Sequence, residues 1–208
     1  YMVVDGGIKT IAQLQYSPFS SGNSIWANDT LTGIQVGGLV TSSLYDMEQS
    51  STYFFGSLQS GTAPNSGIFF QAQANDSVAT WKRGDSIVIT SCIVRENFNV
   101  TTLDRIGYYS GTKNYNIVSR NNNLPAPLTT LPIDSVIGKI YNYTEPYEGM
   151  LVRFNDVYVV NKNPDAPSNN GEWSIYKDTS TTNGLRFDDA SKDIGSTYNL
   201  DSLTLKTL

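Results

Sequence analysis

Histidine is absent from this chain of 208 residues, and cysteine occurs only once. Without histidine the chain has no imidazole acid or base, no Ser-His-Asp triad and almost no route to a zinc site. The single cysteine, Cys92, excludes a disulfide within the chain. Its place in the apolar run from Ile87 to Val94 predicts a buried, inert thiol. We therefore expect a protein that is not an enzyme.

Charged residues are also scarce, at 16% of the chain against about 25% in an average soluble domain. The formal net charge is −5, whereas tight non-specific binding of nucleic acid usually requires a basic face. No apolar stretch approaches the roughly 18 residues of a membrane helix, so we expect no membrane span. No signal peptide is recognisable at the start of the chain.

What the chain has in abundance is tyrosine, glycine and neutral polar residues. It contains 13 Tyr and 17 Gly, and Ser, Thr, Asn and Gln supply most of its polarity. These residues suit pleated, half-solvated surfaces and tight turns. The composition is typical of an all-β extracellular protein.

Three short motifs occur twice, in the same order, at offsets of 116, 117 and 116 residues. A long internal period of this kind predicts two tandem copies of one small β-module. The paired motifs are Gly33-Ile34 with Gly149-Met150, Gly67-Ile68-Phe69-Phe70 with Gly184-Leu185-Arg186-Phe187, and Asp85-Ser86-Ile87 with Asp201-Ser202-Leu203.

The second copy is shorter than the first, because Leu208 follows soon after the Asp201 motif. An unfinished barrel exposes unpaired edge groups that invite another strand. We therefore expect the last strands to come from the missing C-terminal part of the same chain or from other protein chains.

The first copy contains about five short, bent strands and a short helix that Thr10 can cap. This pattern predicts an OB-type barrel, because an immunoglobulin-like sandwich needs about seven strands. The Gly37-Gly38 pair within the first strand predicts a bulge or sharp bend.

The predicted fold class is all-β, with tandem OB-like small barrels, the second incomplete at the C-terminus, and one or two short helices. Residues 1–31 form a lead-in segment with a short helix, and residues 32–120 the first OB-like barrel. Residues 121–147 form a Pro- and Asn-rich linker with a short helix, and residues 148–208 the truncated start of the second barrel.

These motifs resemble a known module. The run from Gly33 to Thr41, the hairpin ending at Phe70, the segment from Gly84 to Ile89 and the E-x-Y-E-G-M-x-V segment from Glu145 to Val152 look like the OB-fold module of bacterial secreted nucleases. Similar modules occur in large surface proteins of Bacteroidetes-like bacteria. The resemblance implies a secreted or cell-surface setting. In the nucleases the chemistry lies in a separate domain rich in His, so it does not imply hydrolysis here.

Aromatic residues of the predicted hairpin suggest a ligand face. OB folds bind single strands by stacking bases on side chains of the sheet, with cationic loops at its margin. Tyr53 and Phe55 share one face of their strand, and either that face or the opposite one must be core. Aromatics on a sheet also stabilise it without any ligand. The residues expected in flanking loops are Tyr45, Trp81, Lys82 and Arg83.

Two further loops offer alternatives. Tyr108 and Tyr109 lie in a Tyr/Gly/Ser loop that could contact proteins or sugars. A second loop carries oxygen-bearing residues that could surround Ca²⁺, although their spacing is not that of an EF-hand and they also fill ordinary turns. We expect no cofactor and keep Ca²⁺ as an alternative. The residues of that loop are Asn163, Asp165, Ser168, Asn170 and Glu172.

The sequence thus predicts a non-catalytic binding or assembly module, or structural subunit, of a larger secreted or cell-surface protein. The alternative is an accessory OB domain that binds single-stranded nucleic acid for a secreted nuclease. A third interpretation is a carbohydrate-binding module, because OB folds also accept oligosaccharides.

Overall fold

The computed structural model describes residues 3–5, 7–44, 46, 54–73, 77–97, 99–109, 112–137, 144–188 and 205–206. Strands dominate these residues, which confirms the all-β prediction, and no helix among them is long and apolar enough to span a bilayer. The strands are β1 (Val3–Asp5), β2 (Thr30–Ser42), β3 (Phe54–Gln59), β4 (Gly67–Ala72), β5 (Ser86–Asn97), β6 (Val100–Asp104), β7 (Tyr108–Tyr109), β8 (Thr112–Lys113), β9 (Tyr115–Ser119), β10 (Val157–Asn161), β11 (Trp173–Tyr176), β12 (Leu185–Phe187) and β13 (Leu205–Lys206). The helices are α1 (Ile11–Leu14) and the 3-10 turns Ser77–Thr80, Ile133–Ser135 and Glu145–Tyr147.

Five strands form a closed barrel. Their order is β2-β3-β4-β6-β5, and a long antiparallel pairing of β2 with β5 completes the circle. The neighbours are antiparallel except β4 and β6, which run parallel. The barrel is consistent with an OB-like fold.

The barrel core follows from the alternation of side chains along each strand. On β4, Ile68, Phe70 and Ala72 point inward and are buried, whereas Phe69 and Gln71 are partly exposed. Such alternation with a period of two is what one buried face requires. This alternation places Phe70 in the core and leaves Phe69 outside it.

Strand β2 bends at a different glycine from the one expected. Its register against β5 shifts between Thr32 and Val36, where Gly33 has a φ of 66°. Gly37 and Gly38 pair regularly with β5, so the prediction of a bulge at these two residues is wrong. The space at Gly38 is tight, because a Cβ there would lie 3.2 Å from the Leu58 Cβ.

The lead-in helix α1 belongs to the barrel core. Thr10 caps it as expected: its hydroxyl accepts a hydrogen bond from the Gln13 backbone N–H, and the Gln13 side chain accepts one from the Thr10 N–H. Ile11 and Leu14 are fully buried within the cluster of barrel side chains. The helix therefore closes one side of the barrel.

The second sheet repeats part of the first barrel. Its order is β12-β11-β10-β13, and all its pairs are antiparallel, like those of β4-β3-β2-β5. Gly149 has a φ of 64°, close to the 66° of Gly33, its partner in the sequence repeat. The sheet has its own core, formed by Leu131, Ile133, Phe154, Val157, Val159, Trp173 and Ile175.

The same elements precede both sheets. Strand β1 pairs parallel with β2, and Leu128 forms a parallel bridge with Val152. Helix α1 follows β1, and the 3-10 turn Ile133–Ser135 follows Leu128. Leu131 and Ile133 thus enter the second core as Ile11 and Leu14 enter the first.

Candidate binding site

Trp81 does not lie on a ligand face. Its side chain is 1% exposed, and its ring centroid lies 5.1 Å from that of Phe70 and 4.9 Å from that of Tyr115. The three rings form a tilted and edge-on cluster inside the barrel. The expectation that Trp81 flanks a ligand is corrected, because a core ring offers no face for a base or sugar.

Lys82 and Arg83 are exposed in the turn that follows Trp81. The Lys82 backbone N–H donates to the Asp85 carboxylate at 3.1 Å, which orders this turn. The Arg83 Nε lies 3.0 Å from the Asp46 Oδ2, so an acidic partner offsets its charge. Trp81 therefore lies in the core, whereas Lys82 and Arg83 lie at the surface.

Phe55 and Phe69 lie on the outer face of the barrel. Phe55 pairs with Gln71 and Phe69 pairs with Ser57, so the two rings are diagonal neighbours on one side of the hairpin. Both are partly exposed. The structure thus places Phe69 next to Phe55, which the sequence predicted to contact a ligand. Ligand contact at this pair stays a prediction.

The remaining predicted tyrosines are less informative. Tyr45 and Tyr53 lie outside the described residues. Tyr108 and Tyr109 form β7, which pairs with β8 in a separate two-stranded ribbon, and the orientation of their side chains is not described. Their ligand roles stay predictions.

The loop considered for Ca²⁺ contains an ion-pair cluster. The Arg186 guanidinium bonds to the carboxylates of both Asp165 and Glu172, and its Nε lies 2.5 Å from the Glu172 carboxylate. Asn170 also donates to Asp165 at 3.2 Å. A guanidinium therefore occupies the place between the two carboxylates that the alternative gave to Ca²⁺.

A cavity of about 280 Å³ lies where the lead-in of the second sheet meets the first barrel. We call it the Gln15 pocket. The Asn65 backbone N–H donates to the Pro146 carbonyl at 2.6 Å, so the β3–β4 turn holds the 3-10 turn Glu145–Tyr147 against the barrel. Its lining residues are Ala12, Gln15, Tyr16, Ser17, Asn65, Glu145 and Pro146.

Gln15 is the unusual residue of this pocket. It is 6% exposed, and neither its amide nitrogen nor its amide oxygen has a hydrogen-bond partner among the described residues. Leaving a buried polar group without a partner costs about 1–3 kcal/mol. The amide group of Gln15 is therefore enclosed beside the pocket, and other atoms of the residue line it.

Three glutamates surround this junction. The Glu96 Oε1 accepts hydrogen bonds from the Ser24 N–H at 2.8 Å and the Thr101 hydroxyl at 3.0 Å. The Glu148 Oε2 accepts one from the Thr101 N–H at 3.1 Å. Glu145 lines the pocket itself, and the Glu96 Oε2 is buried without a partner in the described part of the chain.

Burial makes these three carboxyl groups hard to ionise, and repulsion from neighbouring carboxylates adds to this at Glu145 and Glu148. Burial raises the pKa of Glu145 to about 7, and the charge of Glu96 adds to the effect. Burial, with the charge of Glu145, raises the pKa of Glu148 to about 8, although the Thr101 N–H opposes the shift. A cation placed among these groups would favour their ionised forms.

An exposed apolar loop borders the pocket. Tyr16, Phe19 and Ile25 are 57%, 52% and 39% exposed. The Ile25 N–H donates to the Tyr16 carbonyl at 3.1 Å, and the Ser24 hydroxyl donates to the Leu14 carbonyl at 2.5 Å. We call these three side chains the apolar loop face, and these hydrogen bonds connect its backbone to α1.

A larger recess of about 430 Å³ lies beside Gly37, Gln59 and Pro125. The Gln59 side chain of this recess has hydrogen-bond partners: it donates to the Gly61 carbonyl at 2.6 Å and accepts from the Leu151 N–H at 2.9 Å. No charged residue lines this recess in the described part of the chain. The Gln15 pocket is therefore the stronger candidate.

Sequence reasoning missed the Gln15 pocket. The sequence patterns give Gln15 no role, and they place Glu145 and Glu148 only in the family-like segment from Glu145 to Val152. The residue spacing carries no signal, since Gln15, Asn65 and Glu145 come from three distant segments.

No family model matches this chain, and no curated protein is significantly similar to it. The resemblance to secreted nucleases and surface proteins therefore stays an inference from the quoted motifs.

Proposed function

We propose that this chain is a non-catalytic binding and assembly module of a larger secreted or cell-surface protein. In this proposal the apolar loop face holds a partner polypeptide. The observation that carries the proposal is the exposure of Tyr16, Phe19 and Ile25 on one hydrogen-bonded loop.

Such a loop suits protein binding for a physical reason. Aromatic anchors contribute much of the affinity at protein interfaces, and a loop already held in one conformation loses little entropy on binding. The Trp26 indole N–H also donates to the Gln13 carbonyl at 2.8 Å, which ties the end of the loop to α1. These hydrogen bonds reduce the conformational freedom that the loop would lose when a partner binds.

Electrostatics favour a polypeptide over a nucleic acid at this face. The adjacent Glu96, Glu145 and Glu148 carry carboxyl groups, which supply none of the positive charge that binding a phosphate requires. Elsewhere, Arg83 and Arg120 pair with aspartates at 3.0 Å and 2.6 Å, which reduces their value as phosphate contacts.

Phe55 and Phe69 support the nucleic-acid alternative, because two outward aromatics on an OB-like sheet could stack bases. Tyr16, which is exposed and lines the same pocket as Asn65, supports the carbohydrate alternative, since an aromatic ring and an amide residue together suit a sugar. Both alternatives stay proposals of lower rank.

A displayed library of random peptides tests the proposal. We expect selected peptides to bind the unaltered chain and to bind the Phe19→Ser variant about tenfold more weakly, because a lost aromatic anchor commonly costs 1 kcal/mol or more. The matched control is Val118→Ser, because Val118 is 64% exposed but lies on β9. Peptides that bind both variants equally, or no selected peptides, would overturn the proposal.

The same material tests the alternatives. Salt-sensitive binding of a labelled oligothymidine that is lost in Phe69→Ala would replace our proposal with the nucleic-acid function. Binding to a glycan array that is lost in Tyr16→Ala would replace it with the carbohydrate function.

A further inference from the structure

We propose that the outer edge of strand β12 binds an extended segment of another polypeptide as a parallel strand, in the register in which β6 lies on β4. This surface shares no residue with the apolar loop face, so the inference goes beyond the proposed function. Its support comes from the repeated register of the two sheets, the uncovered edge of β12 and the partial exposure of its inward side chains.

The second sheet repeats the register of the first barrel residue by residue. Each residue of the β11–β12 pairing lies 117 positions after its counterpart in the β3–β4 pairing. Arg186 and Phe187 of β12 therefore stand where Phe69 and Phe70 stand in β4.

The neighbouring pairings agree with this equivalence. The register of β2 against β3 shifts between Val40 and Ser42, and that of β10 against β11 shifts between Val159 and Asn161. Strand β13 lies on the other side of β10, as β5 lies on the other side of β2. The first barrel is therefore a template for the position of a strand beside β12.

In the first barrel, β6 covers the outer edge of β4. The two strands run parallel, with Phe69 beside Thr102 and Phe70 beside Leu103. In the second sheet β12 is the edge strand, and no strand of the described ranges pairs with its outer side. The N–H and C=O groups of such an edge readily accept a further strand, and strand addition is a common mode of peptide recognition.

The inward side chains of β12 lack the cover that their counterparts have. Ile68 and Phe70 of β4 are fully buried, and Leu103 of β6 lies beside Phe70. Leu185 and Phe187 pack against the second core but remain partly exposed. An added strand would place one of its side chains in the position of Leu103 and cover Phe187. Removal of this apolar surface from water favours binding.

The outward side chain of β12 does not oppose an incoming strand. A charged residue on an edge strand usually discourages pairing. Arg186 is exposed, but its guanidinium bonds to the carboxylates of Asp165 and Glu172, which offset its charge. The occupant therefore needs an apolar residue beside Phe187 and tolerates a polar residue beside Arg186, as Thr102 stands beside the equivalent position.

The chain that follows β12 leads to the opposite edge of the sheet. Strand β13 pairs antiparallel with β10 at that edge, and residues 188–204 join it to β12. A parallel neighbour of β12 needs a crossover connection of its own, usually of a dozen or more residues. The added strand therefore belongs to another polypeptide.

A synthetic peptide of residues 97–106, which contains the β6 sequence, tests the inference. We expect it to shift the backbone amide signals of Leu185, Arg186 and Phe187 in a nuclear magnetic resonance titration, since β6 covers the equivalent edge. The control peptide carries Leu103→Asp, which places a charge against Phe187, and it should bind about tenfold more weakly. Equal binding of the two peptides, or no shift on β12 at about 1 mM peptide, would overturn the inference.

The same titration locates the peptide and gives its direction. Shifts of Phe69 and Phe70 in place of β12 would mean that the peptide displaces β6, which would also reject the site. A nitroxide on the N-terminus of the peptide should broaden the Gly184 signal more than the Phe187 signal, because parallel pairing places that end beside the start of β12. The reverse order would contradict the parallel register.

A variant of the chain checks the site from the other side. We expect Phe187→Ser to weaken peptide binding about tenfold, because it removes the apolar contact for Leu103 of the peptide. Phe187 also stacks on Trp173 at 5.9 Å, so the Trp173 signals check that the second sheet still forms. Val118→Ser is the control, since Val118 is 64% exposed on the edge strand β9. Equal weakening by the two variants would reject β12 as the site.

Sedimentation of the chain alone separates another polypeptide from a second copy of this chain. We expect Phe187→Ser to leave the oligomeric state unchanged, whereas a dimer that this variant dissociates would assign the edge to a second copy and overturn the inference. The two proposals also fail separately. Phe19→Ser should leave binding of the β6 peptide unchanged, so the loss of one surface does not remove the other.

Discussion

The Glu148 carboxylate accepts a hydrogen bond from the Thr101 backbone N–H at 3.1 Å. This bond joins the lead-in of the second sheet to β6 of the first barrel. It lies beside the short parallel pairing of β4 with β6, which involves only Phe69 with Thr102 and Phe70 with Leu103. Glu148 thus accepts a hydrogen bond from a β6 N–H at a place where burial opposes its charge.

The first prediction concerns Glu148 and pH. Its folded pKa is raised from 4.5 to about 8, so the folded chain binds more protons than the unfolded chain between these values. Stability is then greatest below pH 4.5 and falls as pH rises through 8. We expect Glu148→Gln to flatten this slope and to raise the free energy of unfolding by roughly 2–4 kcal/mol at pH 9.

Urea unfolding from pH 4.5 to 9 measures this effect. Glu172→Gln is the matched control, because Glu172 forms a surface ion pair with Arg186. Loss of such a pair changes stability by about 1 kcal/mol or less. Unchanged pH slopes in Glu148→Gln would show that the carboxyl is not held in the described environment.

The second prediction concerns the contact between Gly67 and Gly149. A Cβ on Gly67 would lie 2.4 Å from the Gly149 carbonyl carbon, and backbone atoms cannot move aside cheaply. We expect Gly67→Ala to lower the free energy of unfolding by roughly 2–4 kcal/mol through overpacking. We also expect faster proteolysis between residues 121 and 147, because the segment that precedes the second sheet would lose its close contact with β4.

Gly61→Ala is the control for this glycine, since its Cβ would meet nothing closer than 3.9 Å. Both variants add one methyl group to the same hairpin. Equal melting temperatures for the two variants would argue against the close contact.

The third prediction concerns Trp81. Its ring packs against Phe70 and Tyr115 in the barrel, so we expect Trp81→Ala to cost about 3–5 kcal/mol. Trp81→Phe should cost less, because it keeps a ring and removes an indole N–H that has no partner in the described residues. Guanidinium unfolding compares the two. A loss below about 1 kcal/mol in Trp81→Ala, typical of a surface site, would contradict the buried position.

The fourth prediction compares two Arg–Asp pairs of different burial. The Asp85 side chain is 2% exposed beside Arg120, whereas the Asp46 side chain is 23% exposed beside Arg83. Arg120→Ala leaves a buried carboxylate without its cation, so we expect a loss of roughly 2–4 kcal/mol. Arg83→Ala should cost about 1 kcal/mol or less. Chemical denaturation of both variants measures the difference, and equal losses would contradict it.

Local patterns in the sequence were enough for the fold class. Strands such as β4 alternate buried and exposed side chains, and the Thr10 capping box lies within four residues. The repeated motifs also predicted a second copy of the first module. The second sheet indeed has the strand order of part of the first barrel. Short-range periodicity and repetition are visible without any knowledge of distant contacts.

Local patterns misplaced the features that depend on neighbours. A glycine pair looks like a bend, but Gly37 and Gly38 are accommodated regularly and Gly33 bends β2 instead. Trp81 precedes two cations as a loop aromatic would, yet its ring points into the barrel. The side of a chain that becomes core depends on which segments pack over it.

The amino-acid sequence by itself therefore determined an all-β, repeated architecture with one buried thiol and little charge, because these follow from composition and periodicity. Only the tertiary structure decided which aromatics are core and where a pocket forms. The Gln15 pocket exists because the second lead-in folds back onto the first barrel and brings together Gln15, Asn65 and Glu145. This contact between distant segments, which no local pattern encodes, also places Glu145 where burial raises its pKa to about 7.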